Sequence, residues 1–390
     1  MKKTVSFIAA ALIALSLVAC NDNDSENTED WRIVSLYQMV EPDKNGMFIS
    51  NTYESLSFLD FSTMQQAPVC DDPTCKHEAD SCNSYGKNNH PFLYNDKLYY
   101  VKATDFYQEG EEFFMDTQLW QSDVNGANEK QITEIKGLVY YDYDRMLIYG
   151  DTIYMCMLNQ PYNSEFQELE PSVELVSCNL DSGEITNYGE VVRSYSGGSW
   201  VCGLWDGKMI FQTSKPVENL PYMEKVERYI EENNLEEEAE KYAEENNVTI
   251  DVALMHMAAG FQDEYITEYL QLDLDSGEIS LSEYPEPQAI SPYYYYYLDN
   301  DKLMFLDSEG EEHELEGLEG EITRVTALND YTYINAGGVT YLFNEPEQEL
   351  TKLDEIYDIS AVYDDSIIIS YVTDSYSLAY DKKAIEDITA

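Results

Sequence analysis

Short runs of alternating apolar and polar residues recur along the chain. Each run is followed by a variable loop, a second run ending in an Asp-x-x-Gly or Asp-Ser-Gly turn, and a third run. The clearest copies are "DKLYYVKA … LWQSDVNGANEKQIT" from Asp96, "DTIYMCML … ELVSCNLDSGEITNY" from Asp151 and "DGKMIFQT … YLQLDLDSGEISLS" from Asp206. Looser copies start at Asn45, Asp301, Asp330 and Asp364, and each is preceded by one more apolar segment, such as 33–40, 138–143 or 325–328. A period of two bounded by Asp, Asn and Gly marks strands joined by tight turns. Four strands per unit, in seven units of roughly 45 residues, predict an all-β chain folded as a seven-bladed β-propeller. Six or eight blades stay compatible with the pattern because the copy from Asp301 is short, and an array of β-sandwiches is the competing architecture. A sheet that is apolar on both faces buries both only between two neighbours, which radial packing supplies. "YYYYYL" at 293–298 reads as one such strand, because tyrosine suits a half-buried pleated surface.

One stretch has a different period. Residues 216–262 read as a helical insertion in the fourth blade. "PYMEKVERYIEENN" places Met223, Val226 and Ile230 on one face, and "LEEEAEKYAEENN" does the same with Leu235, Ala239 and Tyr242. A third helix is expected from Ile250, capped by Thr249 and stopped by Gly260. With strands named a to d in each blade, the alternating chain direction puts the b–c turns and the d–a crossings on one face and the a–b and c–d turns on the other. The helical insertion, the loops 104–117 and 159–172, and the crossing around residues 70–82 are therefore all expected on one face. Long loops over a rigid scaffold are where binding residues tend to lie.

The N-terminus adds an address. Lys2 and Lys3 precede an apolar run over 5–18 that stops at Leu17-Val18-Ala19-Cys20. That run is shorter than the roughly 20 residues that span a bilayer, but it suits a secretory signal. A small residue before Cys20 resembles the lipobox of bacterial lipoproteins, which implies removal of residues 1–19 and a lipid on Cys20. Residues 20–30 then form an acidic tether, and 31–390 the propeller. Without Lys2 and Lys3 the chain has 20 basic residues against 76 acidic ones, a net charge of about −56. Such a surface is repelled by nucleic acid and by anionic headgroups, so nucleic acid is excluded as a partner and membrane attachment falls to the lipid. With 44 % apolar residues and 34 tyrosines the chain is not a disordered acidic one, and most of its acids read as a solvated face.

Candidate chemistry gathers in "APVCDDPTCKHEADSCNSYG" at 67–86. Cys70, Cys75, His77 and Cys82 are spaced C-x4-C-x-H-x4-C, which is not the C-x2-C of common zinc sites. Three readings stand open: a disulfide among the cysteines, favoured by export; a metal site of three thiolates and one imidazole; and free thiols, one of them reactive with His77 as its base. The motif, with Pro73, also resembles one found in bacterial lipoproteins of low-G+C anaerobes that carry TolB-like or YWTD-like propellers. That resemblance implies extracytoplasmic display and a binding role, with no activity attached. Cys156 and Cys178 fall on adjacent antiparallel strands, where the register decides between a cross-strand disulfide and the favoured reading, buried free thiols that act as small hydrophobes. Cys202 lies on the following blade, and His90, His256 and His313 have no companion at ligand spacing.

No serine-hydrolase elbow, H-E-x-x-H, P-loop or Rossmann glycine pattern occurs. Two classes of function remain. One is a membrane-anchored binding or scaffold propeller for a protein, peptide or glycan, expected to act as a monomer. The other is an extracellular glycan hydrolase or lyase with carboxylates and tyrosines at the central opening. An exposed apolar patch on the long-loop face favours the first, and acids and tyrosines converging on the axis favour the second.

Overall fold

The computed structural model describes residues 31–35, 45–50, 55–72, 74–77, 81–87, 90–109, 112–140, 145–162, 170–194, 198–257, 264–328, 330–372 and 378–389. The expected signal segment, Cys20 and the tether lie outside these residues.

A lone strand β1 (Trp31–Ser35) precedes seven antiparallel sheets. Blade 1 is β2 (Gly46–Ser50), β3 (Leu56–Asp60) and β4 (Gln65–Pro68). Blade 2 is β5 (Phe92–Tyr94), β6 (Lys97–Ala103), β9 (Thr117–Asp123) and β10 (Lys130–Ile135), with a hairpin of β7 (Tyr107–Glu109) and β8 (Glu112–Phe114) set between its second and third strands. Blade 3 is β11 (Arg145–Tyr149), β12 (Thr152–Asn159), β13 (Ser172–Asn179) and β14 (Ile185–Arg193). Blade 4 is β15 (Gly198–Trp205), β16 (Lys208–Pro216), β17 (Tyr265–Asp273) and β18 (Ile279–Leu281), with helices α1 (Tyr222–Asn233), α2 (Glu236–Asn246) and α3 (Ile250–Met257) between β16 and β17. Blade 5 is β19 (Pro287–Ile290), β20 (Tyr295–Asp299), β21 (Lys302–Leu306) and β22 (Glu312–Glu314). Blade 6 is β23 (Ile322–Leu328), β24 (Tyr331–Ala336), β25 (Val339–Asn344) and β26 (Glu349–Lys352). Blade 7 is β27 (Ile359–Tyr363), β28 (Ser366–Val372) and β29 (Leu378–Ala384), followed by a short helix α4 (Ile385–Ile388). Each sheet is an up-and-down meander, and the ring is the expected seven-bladed propeller.

The tyrosine run shows why the sheets need two neighbours. Tyr294 and Tyr296 pack with Phe305, Ile334 and Phe343 towards blade 6, while Tyr295 and Tyr297 pack with Trp205 and Phe211 towards blade 4. Alternation alone sends one apolar set to each side. The repeated turn letters also have a physical cause. Asn179 Oδ1 accepts hydrogen bonds from the Ser182 amide (2.8 Å) and hydroxyl (2.9 Å), and Asp273 Oδ1 does the same for Ser276 (both 2.8 Å). The glycine that follows takes φ of 74° at Gly183 and 72° at Gly277. An L side chain resists that region, which glycine enters freely.

The first strand departs from expectation. The pattern assigns residues 33–40 to strand a of blade 1; instead β1 pairs antiparallel with β11 of blade 3, Trp31 opposite Tyr149 and Ser35 opposite Arg145. Blade 1 therefore shows three strands, and residues 36–44 lie outside the described ones. Arg32 donates to the Leu93 carbonyl in the inner strand of blade 2. Trp31 packs against the inner strands of blades 4 and 5, at Gly203 and Ile290. A strand touching the inner strands of four successive blades runs along the propeller axis. It starts at the a–b end and finishes at the b–c end. The ring closes between blades 7 and 1 by side-chain packing: Phe61 meets Tyr363 edge-on at 5.9 Å, Ala361 and Ile368 join Phe48 and Phe58, and Lys382 Nζ donates to the Phe61 carbonyl at 3.3 Å.

The helical insertion is where the sequence puts it. Val226, Ile230, Leu235 and Leu254 form its own small core. Asn234 and Asn247 end α1 and α2 with φ of 51° and 54°. Asparagine is the residue other than glycine that most readily takes this left-handed cap. Val217 N donates to Glu264 O at 2.7 Å, so the two ends of the insertion are already in contact. No helix among the described residues is long and apolar enough to cross a membrane.

Candidate functional site

The crossing from blade 1 to blade 2 holds the four residues singled out by spacing. Asp72 builds a turn, its Oδ1 accepting from the Thr74 amide (2.8 Å) and hydroxyl (2.7 Å), and the Cys75 amide donates to the Asp72 carbonyl at 3.1 Å. His77 then adopts φ of 60°, which folds the chain back so that its ring meets the cysteines. One ligand atom from each of Cys70, Cys75, His77 and Cys82 lies within 4.8 Å of all the others. His77 Nδ1 is 3.3 Å from Cys82 Sγ. Among the described residues this is the one group of three or more Cys, His, Asp or Glu close enough to hold an ion.

The sulfurs sit in a field of amide donors. Cys70 accepts from the backbone of Asp72, Cys75 from the His77 amide at 3.4 Å, and Cys82 from the Ser84 amide at 3.4 Å. Burial opposes ionisation of Cys82, but the Ser84 side chain and amide, then His77 and Cys75, outweigh it and bring its thiol down to about 6. Hydrogen bonds to a thiolate favour the charged form in this way. At Cys70 burial prevails over the Asp72 amide and, with Cys82 nearby, pushes the thiol up. All three cysteines are free thiols in this structure.

The crossing leaves and returns at the b–c end of blade 1, as the pattern expects, and leans outward onto the seam with blade 2. Leu56 N donates to Ser84 O at 2.9 Å and Val69 N to Leu56 O at 2.9 Å, which ties both its ends to strand c of blade 1. At its middle, Asn125 Nδ2 in the c–d turn of blade 2 donates to Asp71 at 2.9 Å, and a Cβ at Gly126 of that turn would lie 2.2 Å from Asn83 O. Elsewhere a c–d turn leans on the outer strand of the preceding blade, as Gly277 does on Tyr188 (3.7 Å to a would-be Cβ). At the seam of blades 1 and 2 the cysteine crossing, which continues from the outer strand β4, meets the c–d turn of blade 2.

The other three elaborations, all between strands b and c of their blades, touch one another. Phe113 pairs with Tyr162, Phe106 meets the Tyr162 ring edge-on at 5.7 Å, and Asn219 beside the helices donates to Glu170 at 2.6 Å. Phe106, Val217, Ile250, Val252, Tyr265 and Ile266, all on this side, are each 42–54 % exposed.

The register decides for buried free thiols at Cys156 and Cys178. Cys178 stands opposite Ile153, and Cys156 opposite Leu175, three positions further on. Cys156 points towards blade 4 and Cys178 towards blade 2. An odd offset puts two side chains on opposite faces of a sheet, so no disulfide joins them. Burial pushes the Cys178 thiol up to about 11. That is the behaviour of an inert core thiol. The other histidines are in separate places: His90 is buried edge-on to Tyr140, His256 stacks on Tyr242, and His313 contacts Asp307 at 2.9 Å.

Sequence reasoning missed Glu345, which no local signal separates from 75 other acids. It is buried between blades 5 and 6 and accepts from Ser291 Oγ (2.7 Å), Tyr296 OH (2.8 Å) and Thr332 Oγ1 (2.5 Å). Burial raises its carboxyl to about 7 against these three donors. Loss of water disfavours the charged form more than three hydroxyls can restore.

Seven meandering sheets around an axial strand place the chain in the class of seven-bladed β-propellers. No family model matches the chain, and no curated protein matches it. Among solved structures it is similar to an oligogalacturonate lyase in complex with manganese, at 12 % identity and a TM-score of 0.46, with 91 % of each chain covered. An oligogalacturonate lyase from Vibrio parahaemolyticus is 11 % identical with a TM-score of 0.41, over 91 % of this chain and 96 % of that one. An acylaminoacyl peptidase of Pyrococcus horikoshii is 8 % identical with a TM-score of 0.38, over 87 % of this chain and 50 % of that one. Manganese and lyase activity belong to those proteins; at such distances they say nothing about chemistry in this chain.

Proposed function

We propose that the chain is an exported, lipid-anchored binding propeller that takes a protein partner on its b–c face. The observation that carries the reading is the set of exposed apolar residues on the insertions of blades 2 and 4, which the blade 3 loop joins. The insertion 216–262 adds twelve acidic residues against three basic ones, so the complementary partner surface is apolar with a basic rim. A glycan lyase or hydrolase at the central opening is the weaker reading, because Trp31 and Arg32 of β1 stand there. The direction of β1 supports one orientation of display. Trp31 lies at the tight-turn end, and the ten residues from Asn21 to Asp30 reach at most about 35 Å back to a lipid on Cys20. The bilayer then faces the tight turns, and the b–c face points away from it.

Cys20→Ala is expected to move the protein from the membrane pellet to the soluble fraction in a high-salt wash, since lipid alone opposes electrostatic repulsion. Retention in the pellet would reject the anchor.

Excising residues 218–263 and joining Val217 to Glu264 through a short Gly-Ser turn is expected to leave a cooperative melt, because the ends already meet and the blade 4 sheet is closed without the helices. On intact cells a photo-crosslinking residue at Val252 is expected to give a discrete, salt-sensitive protein adduct, and one at Ile185 on the opposite face none. Equal labelling at the two positions, or none at Val252, rejects the binding face.

A further inference from the structure

We propose that Cys70, Cys75, His77 and Cys82 bind one Zn²⁺ in a closed tetrahedral site that clips blade 1 to blade 2. Three independent features of the crossing lead there. The first is geometry. A tetrahedral zinc with Zn–S near about 2.3 Å and Zn–N near about 2.0 Å sets its donors roughly 3.5–3.8 Å apart. The four donor atoms already lie within 4.8 Å of one another, and the His77 Nδ1 to Cys82 Sγ pair, at 3.3 Å, is within that edge.

The second is the amide pattern. Each of the three sulfurs accepts a backbone N–H from the residue two positions on: Asp72, His77 and Ser84. Amide dipoles aimed at sulfur favour thiolate charge, and supporting hydrogen bonds of this kind orient and tune metal ligands. A disulfide would consume two of the sulfurs, carry no charge, and leave the third thiol and the imidazole without a role. Three thiolates side by side repel one another unless a cation lies between them.

The third is support from outside the ligand set. The loop is held by Leu56 N to Ser84 O, by Val69 N to Leu56 O and by Asn125 to Asp71. The ligands are thus held near one another by contacts that do not depend on the ion. Soft sulfur donors in a tetrahedral set select zinc over manganese, calcium or magnesium, which prefer oxygen. With all four positions supplied by protein, no place is left for water or substrate, so the ion is structural. It fixes a surface, continuous with the outer strand β4, on which the c–d turn of blade 2 rests.

The test uses the full chain extracted in detergent and purified with reductant and no chelator. Elemental analysis is expected to find about one zinc per chain, and X-ray absorption to show three sulfurs and one nitrogen around it. His77→Ala is expected to weaken zinc binding on the order of 100-fold, at or beyond the roughly 10- to 100-fold that loss of a supporting contact causes. His77→Cys, which restores a fourth soft donor, is expected to keep the metal. As a check that needs no variant, chelation of the native protein should raise hydrogen exchange over residues 69–86 while blades 3–6 stay protected. A disulfide among Cys70, Cys75 and Cys82 in non-reduced peptides, failure of the reduced chain to take up Zn²⁺, or undiminished affinity in His77→Ala overturns the site.

Discussion

Glu345→Gln is expected to make the propeller about 3 kcal/mol more stable relative to the native chain at pH 8 than at pH 4. The native carboxyl titrates at about 7 in the folded protein against an ordinary value of 4.5. A raised folded value means that the neutral form is preferred on folding. That contribution is fully present below about 4.5, falls away as pH rises, and is lost once pH passes the folded value near 7. A displacement of this size corresponds to about 3 kcal/mol, at about 1.36 kcal/mol per unit. Glutamine does not ionise, so its stability lacks this slope. It also keeps the polar contacts: its carbonyl accepts from Tyr296 and Thr332, and its amide donates to Ser291 Oγ, whose own proton turns to the Tyr294 carbonyl 3.3 Å away. Glu345→Ala, by contrast, leaves three buried hydroxyls without their acceptor and is expected to destabilise at every pH. Urea midpoints of the native chain and both variants between pH 4 and 8 decide the matter. Parallel curves for the native chain and Glu345→Gln would show that burial does not shift this carboxyl.

What the sequence displays is local, and the fold shows where locality ends. The turn at 179–184 could be read because Asn179, Ser182 and Gly183 satisfy one another within five residues, and Asp273, Ser276 and Gly277 do so again. The helices could be read because Val226, Ile230 and Leu235 bury one face among themselves. The route of β1 could not. An alternating strand specifies which residues share a face but not which distant edge receives it, and β1 passes over blades 1 and 2 to pair with β11. The same limit applies to Cys156 and Cys178, whose offset depends on a register set across a long loop. The cysteine crossing was legible as chemistry and as a d–a crossing, but not as a seam between two blades. Its spacing gives the four donors, but its position at the seam comes from contacts with Leu56 and Asn125, which lie in two different blades. Glu345 is silent in sequence because its environment is assembled from Ser291, Tyr296 and Thr332, none closer than thirteen residues.

Trp31→Ala is expected to cost about 3–5 kcal/mol, the range for removing a large aromatic from a packed site. Trp31 is only 7 % exposed and fills the space left where blade 4 carries a glycine: a Cβ at Gly203 would meet the indole at 3.0 Å and Ile290 at 2.7 Å. Both sides of that contact belong to inner strands, so a cavity there lies at the axis, where blades 3, 4 and 5 converge. Relaxation is limited because β1 is held by its ladder to β11 and by Arg32 on Leu93. Were β1 only the end of a tether, the same substitution would change stability by no more than about 0.5 kcal/mol, as at an ordinary surface position. The consequence reaches display as well as stability. If the proposed lipid on Cys20 holds the chain, β1 is the part of the propeller next to it, so loosening β1 should leave the chain in the membrane pellet while protease cuts between Cys20 and blade 1 more readily. Urea unfolding of the soluble Cys20→Ala chain, with and without Trp31→Ala, measures the first effect, and limited proteolysis of membrane-bound protein the second. An unchanged midpoint together with an unchanged cleavage rate would remove β1 from the axis.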